Sequence, residues 1–250
     1  MKTSVITTIS SKGGVAKTSL LLGMMMAAAA TGRKSFMIDT DPNQPITKFE
    51  QVARENDYWD ENLVKTTTIL NKDANQGNLQ TLMTELASQD YHYIFIDTKG
   101  GEGEFLGYVG QIADIILLPL GLSQAEVSGT QETLQYFDDL ENPKNLGDTG
   151  LSIAPIKTVI TRMPAPSQIV KTQQYTLDDI VANFDPLETR IPISSLIQNL
   201  LSYGLFHKIA EELKNESDPK DRVQARAFLN ALVPYANLGD EVGAFLESDA

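Results

Sequence analysis

Two hundred and fifty residues without a cysteine exclude disulfides, thiolate-bound zinc and iron–sulfur clusters, and they leave room for one sizeable α/β core. The net charge is −13, divided as −9 over residues 1–150 and −4 over residues 151–250, so a global basic face for nucleic acid is absent while local basic sites in the C-terminal part stay open. MKTSVITTISSKGG has too short an apolar run for a secretory signal and LLLGMMMAAAA is too short to span a bilayer, so a cytoplasmic protein with no membrane helix is expected.

In chain order, Ser4–Ile9 reads as a strand and Thr18–Ala30 as a buried helix, joined by SSKGGVAKTSLL at Ser10–Leu21. Strand Ser35–Ile38 runs into FMIDTDP, and helix Gln44–Asn56 follows. Strand Val64–Leu70 and helix Gly77–Ser88 precede strand Tyr93–Ile96, which ends in YIFIDTKGG. Then come strand Ile115–Pro119, helix Gln124–Leu140, a polar loop at Glu141–Gly150, strand Lys157–Thr161 and helix Ser167–Asn183. Beyond Ile191-Pro192 the pattern is helical: Ser194–Leu200, Leu205–Lys214 and Pro219–Tyr235, the last opened by an Asp218-Pro219 start signal. The alternation predicts a three-layer α/β fold, a mostly parallel central sheet with helices on both faces. It forms one domain over residues 1–250, with a helical C-terminal part from about residue 194.

The phosphate-loop pattern is G-x-x-x-x-G-K-[ST]. Lys17-Thr18 fits its end, although Ser11 and Ala16 stand where its glycines belong. A strand, a Gly-Gly turn and a helix start in succession are what phosphate needs: backbone N–H groups from Gly13, Gly14, Val15 and Ala16 through to Ser19 at the positive end of a helix. Lys17 would reach the terminal phosphates of ATP, and the Thr18 hydroxyl would bind Mg²⁺. Asp39 and Asp41 close one strand and, two apart, face the same side while extension persists. Asp97 closes an apolar strand in the Walker B pattern and would hold Mg²⁺.

KGGVAKTS resembles the deviant Walker A signature K-G-G-x-x-K-[TS] of the ParA/MinD superfamily. The resemblance makes Lys12 a trans cation that acts on the partner subunit's nucleotide, so Lys12 joins Lys17 and Asp41 as the catalytic set. It assigns Asp41 to the attacking water, Asp39 to support of the Mg²⁺ shell, and Gly100-Gly101 to a second switch in which Lys99-Gly100 replaces the usual Pro-Pro. TVITRMP departs from the family, because Thr161 takes the place of an asparagine that reads adenine, while Arg162 matches. The lack of cysteine tells against the iron–sulfur relatives, and the acidic ending YANLGDEVGAFLESDA tells against the membrane-binding MinD type. DTDPNQPITKF, IDTKGGEGE and YGLFHKIAEELKNESDP are similar to VirC-type ATPases, which implies a switch that forms a homodimer on ATP. It would position plasmid DNA or a conjugative or T-DNA transfer complex through a ParB-like adaptor or a relaxase or coupling protein, and let go on hydrolysis.

A second reading is a metabolic ATP-dependent ligase, which would need acid–base groups of its own. His92 and His207 are the only histidines, and both read as structural. Lys208, Lys214, Lys220, Arg222 and Arg226 offer DNA contacts, with Arg222 and Arg226 on one helix face; interspersed acids allow a merely solvated surface instead.

Overall fold

Six apolar and β-branched runs form one sheet in the computed structural model, which describes residues 3–70, 75–101, 103–142 and 150–248. They are β1 (Ser4–Thr8), β2 (Ser35–Asp39), β3 (Val64–Thr68), β4 (Tyr93–Asp97), β5 (Ile115–Leu120) and β6 (Ile156–Ile160). Their order is β3-β2-β4-β1-β5-β6, and every pairing is parallel. Strand alternation divides the core in two. Ile6, Met37, Phe95, Leu117 and Val159 face one layer, while Val5, Phe36, Ile38, Ile94, Ile96, Ile116 and Leu118 face the other.

The first layer holds α1 (Lys17–Ala30), α2 (Pro45–Glu55), α8 (Phe206–Asn215) and α9 (Pro219–Ser248). The second holds α3 (Asn75–Leu86), α4 (Glu104–Ile112) and α5 (Gln124–Glu141). α6 (Lys171–Asn183) packs Leu177 and Ile180 against Leu120, Val127 and Ile160, and the one-turn α7 (Ser195–Gln198) is capped by Ser194. α1 sits between the sheet and α9, which is why KTSLLLGMMMAAAA is apolar nearly all round.

Three elements differ from the sequence reading. α4 was not anticipated: EFLGYVGQI carries two glycines, poor helix formers, and is held by burial of Leu106 and Val109. The helix expected from Ser167 begins as a 3₁₀ turn at Pro166–Gln168 and becomes α-helical only at Lys171, because Ile169 and Val170 are extended. α9 does not stop at Tyr235 but continues through Pro234 to Ser248. An interior proline costs about 3 kcal/mol, and burial of Phe228, Leu232, Leu238 and Val242 on its inner face, at about 1.5–3 kcal/mol each, outweighs it. Residues 143–149 of the expected polar loop lie outside the described residues.

Candidate phosphate-binding site

All six strands run parallel, so their carboxyl ends share one edge of the sheet, and the loop after β1 lies there, where β1 sits between β4 and β5. Such a point, with connections departing to both sides, opens a crevice. Gly14 (φ 78°) and Ala16 (φ 66°) adopt left-handed backbone and turn the loop into α1. Lys17 is buried as the first residue of that helix, and its Nζ donates to the Lys12 carbonyl at 3.2 Å, inside the loop. Burial lowers its pKa, and Asp97 and Asp41 oppose that shift.

Register brings the acidic strand ends together: Asp39 lies opposite Asp97 on the adjacent strand, and Thr8 lies on the other side of Asp97. The Thr18 hydroxyl donates to Asp97 Oδ2 at 2.8 Å, whereas Oδ1 is buried and has no partner among the described residues. Burial is the main reason the Asp97 carboxyl is pushed up to about 7. A hydroxyl and a half-satisfied carboxylate beside a lysine suit Mg²⁺, which keeps most of its ligands as water and phosphate oxygen. Among the described residues no group of three or more His, Cys, Asp or Glu could form a dedicated cage.

Asp39 is engaged differently. Its Oδ1 accepts the Asp41 N–H at 3.1 Å, and its Oδ2 accepts the N–H groups of Ile46 (2.9 Å) and Thr47 (3.3 Å). It therefore anchors the turn and the first residues of α2, and burial raises its pKa. Asp41 is half-exposed, with Oδ1 accepting the Asn43 N–H at 2.8 Å. Gly100 approaches the loop closely: a Cβ there would lie 3.1 Å from the Lys12 carbonyl oxygen and 3.2 Å from Lys17 Nζ.

Lys12 does not point at Lys17. Its side chain lies along α5, with Nζ donating to the Ala125 carbonyl at 3.1 Å and 3.8 Å from Glu132. The path is open because residue 129 is glycine; a Cβ there would stand 2.8 Å from Lys12 Cδ. The Ser11 hydroxyl donates to the Gly129 carbonyl (3.0 Å), and the Ser11 N–H donates to the Thr133 hydroxyl (2.9 Å). The sequence reading missed this role of α5, as it missed Glu126, which accepts the Gly121 N–H at 2.7 Å and pairs with Arg162. The signal was present in SQAE, the spacing of a capping box.

Arg162, also left-handed at φ 52°, donates to the Gly14 carbonyl at 3.4 Å and so joins the β6 end to the loop. His92 precedes β4, at the opposite end of that strand from Asp97, and its Nδ1 accepts the Lys34 N–H; His207 is buried in α8. Neither supplies acid–base chemistry to the site. Of the basic residues, Lys208 is held by Asp60 at 3.1 Å, while Arg222 and Arg226 are exposed on α9. No helix among the described residues is long and apolar enough to cross a membrane.

The model of the protein family described as VirC1 protein matches residues 3–248. Protein virC1 of Rhizobium rhizogenes is 24% identical over 243 residues, covering 97% of this chain and 99% of that protein. A putative plasmid partition protein of Borrelia burgdorferi B31, solved bound to AMPPNP, is similar with a TM-score of 0.60 at 18% identity, over 93% of this chain and 99% of that one. The septum site-determining protein MinD of Pyrococcus horikoshii OT3, solved with Mg-ADP, gives a TM-score of 0.62 at 15% identity over 98% of both chains. At these identities the structural likenesses establish the fold.

Proposed function

The chain belongs to the VirC1 protein family, within the ParA/MinD group of phosphate-loop folds, and from that membership we propose that it is an ATP-switched positioning protein. It dimerises on ATP, engages plasmid DNA or a DNA-transfer (relaxosome) complex directly or through an adaptor, and lets go after hydrolysis. The observation that carries this reading is the unpartnered Asp97 oxygen beside the Thr18 hydroxyl, at the mouth of a loop with Lys17 buried in it.

Thr18 and Asp97 would hold Mg²⁺, whose contribution is to neutralise charge on the terminal phosphate oxygens. Lys17 and the N–H groups of residues 13–19 hold the phosphates. Asp39 acts from behind, fixing the turn on which Asp41 stands. Asp41 orients the water that attacks the terminal phosphorus. Lys12 leaves Ala125 and Glu132 to reach the partner's nucleotide, where its charge offsets that of the transferring group.

Lys12→Ala separates binding from chemistry. It should bind a fluorescent ATP analogue while turnover falls by roughly 10³–10⁵, the range for trans cations of this kind. Turnover within about tenfold of wild type would mean that Lys12 contributes no more than about 1.4 kcal/mol to the barrier, and the trans assignment would be lost.

A further inference from the structure

Between β4 and α4 the chain carries a cation that no contact in the fold explains. Lys99 is exposed and makes no ion pair or side-chain hydrogen bond among the described residues. Its neighbours, by contrast, are pinned to β1 and the phosphate loop. Thr98 is 1% exposed, and its hydroxyl donates to the Thr8 carbonyl at 2.8 Å. The Gly101 N–H donates to the Ser10 carbonyl at 3.1 Å, and Gly100 leaves no room for a side chain between itself, the Lys12 carbonyl and Lys17 Nζ. Lys99 is therefore fixed by its main chain at the lip of the loop, with its side chain uncommitted.

The other cations at this edge of the sheet are engaged. Lys17 Nζ donates into the loop, Lys12 lies along α5 against Ala125 and Glu132, and Arg162 is paired with Glu126. Asp39, Asp41 and Asp97 stand on the same edge, so the terminal phosphate of ATP would add negative charge to a place that is already acidic.

We propose that Lys99 pairs with the terminal phosphate of ATP and so tells ATP from ADP. This rests on the nucleotide-switch reading above. A lysine suits the task because its compact ammonium rides on a flexible four-carbon stem. With no partner to abandon, Lys99 gives up only side-chain freedom and hydration when it moves. The N–H groups of a phosphate loop take the inner phosphates, which ADP shares with ATP. Lys99 thus adds affinity chiefly for the triphosphate.

The test is calorimetric titration of the wild-type chain and of Lys99→Ala with AMPPNP and with ADP at fixed Mg²⁺, a binding readout independent of turnover. Loss of a charge-assisted contact should weaken AMPPNP by about tenfold or more while ADP stays within about twofold. Lys99→Arg, which keeps the charge, should recover most of the AMPPNP affinity. Unchanged affinity for both nucleotides in Lys99→Ala makes Lys99 a solvated surface charge, and an equal loss for both makes its effect a general one; either result overturns the inference and leaves the switch reading standing. Failure of the wild type to bind either nucleotide overturns both. Without nucleotide, Lys99→Ala should melt at the wild-type temperature, and a lower value would give Lys99 a structural role and sink the proposal.

Discussion

Asp97 shows how a single residue serves the site at the expense of the apo fold. Its carboxylate is fully buried, has one partner in the Thr18 hydroxyl and, among the described residues, none at Oδ1. A buried ionised group short of partners is destabilising. Asp97→Asn keeps an oxygen for Thr18 and removes the charge, so the apo protein should melt a few degrees higher, about 2–4 °C for each kcal/mol recovered in a chain of this size. On the proposed function Mg²⁺ with ATP should raise the melting temperature of the wild type and leave that of this variant unmoved; differential scanning calorimetry in both states checks this, and a lower apo melting temperature of the variant would contradict the argument. Lys17→Ala works in the same direction. It relieves the burial of an ammonium, and nucleotide binding should disappear; wild-type affinity for a fluorescent ATP analogue would end the phosphate-loop assignment.

At the scale of elements, α8 carries a second buried group with a pH signature. His207 is almost wholly enclosed, neither ring nitrogen has a partner among the described residues, and burial holds its pKa below 6.5. Asp60 and Glu211 pull that pKa up while Lys208 adds to the lowering. The folded state therefore refuses a proton that the unfolded chain accepts, so stability is full above about pH 6.5 and declines as pH falls below it. His207→Leu should flatten thermal stability against pH between about 6.5 and 5 relative to wild type; parallel curves would show that His207 does not titrate as argued. Much of this architecture was legible from local signals. Alternating apolar runs announced all six strands, and KGGVAKTS announced the loop within ten residues of its own strand. What escaped depends on distant partners or on burial overriding propensity. α4 contains glycines that a local reading penalises, and α9 passes a proline because its inner face packs on α1 and α8. Asp39 and Asp97 each read as a strand end, but their adjacency follows from β2 pairing with β4, 54 residues apart at the nearest, and no local pattern encodes it. The resting place of Lys12 on α5 is likewise a contact across 113 residues.

For the molecule as a whole, a net charge of −13 repels nucleic acid, so any DNA contact must come from a local patch. Arg222 and Arg226 are exposed one turn apart on α9, and dimerisation would double them. Arg222→Glu combined with Arg226→Glu should weaken ATP-dependent DNA binding and lower its salt dependence, by about 0.9 in the log–log slope for each phosphate no longer neutralised, with ATP affinity unchanged. Equal DNA binding with ADP and ATP would count against a nucleotide-controlled grip. The switch itself is tested by Asp41→Ala. The groups assigned to hold ATP are the loop N–H groups, Lys17, Thr18 and Asp97, and Asp41 is not among them. Its hydrogen bonds are local: its N–H donates to Asp39, its carbonyl accepts the Gln44 N–H, and its Oδ1 accepts the Asn43 N–H. Asp39 secures the turn from the other side, through Ile46 and Thr47, so the fold does not depend on the Asp41 carboxylate. Hydrolysis does depend on it, if it orients the attacking water. Removing it leaves ATP bound, leaves the terminal phosphate uncleaved, and leaves Lys12 with a charge to hold across the interface. In size-exclusion chromatography with light scattering, the variant should become a dimer on addition of ATP and Mg²⁺ and remain one, while the wild type returns to monomer as ATP is consumed. A variant that stays monomeric at saturating ATP and Mg²⁺ would place Asp41 in nucleotide binding or in the fold, and its assignment to the water would fall.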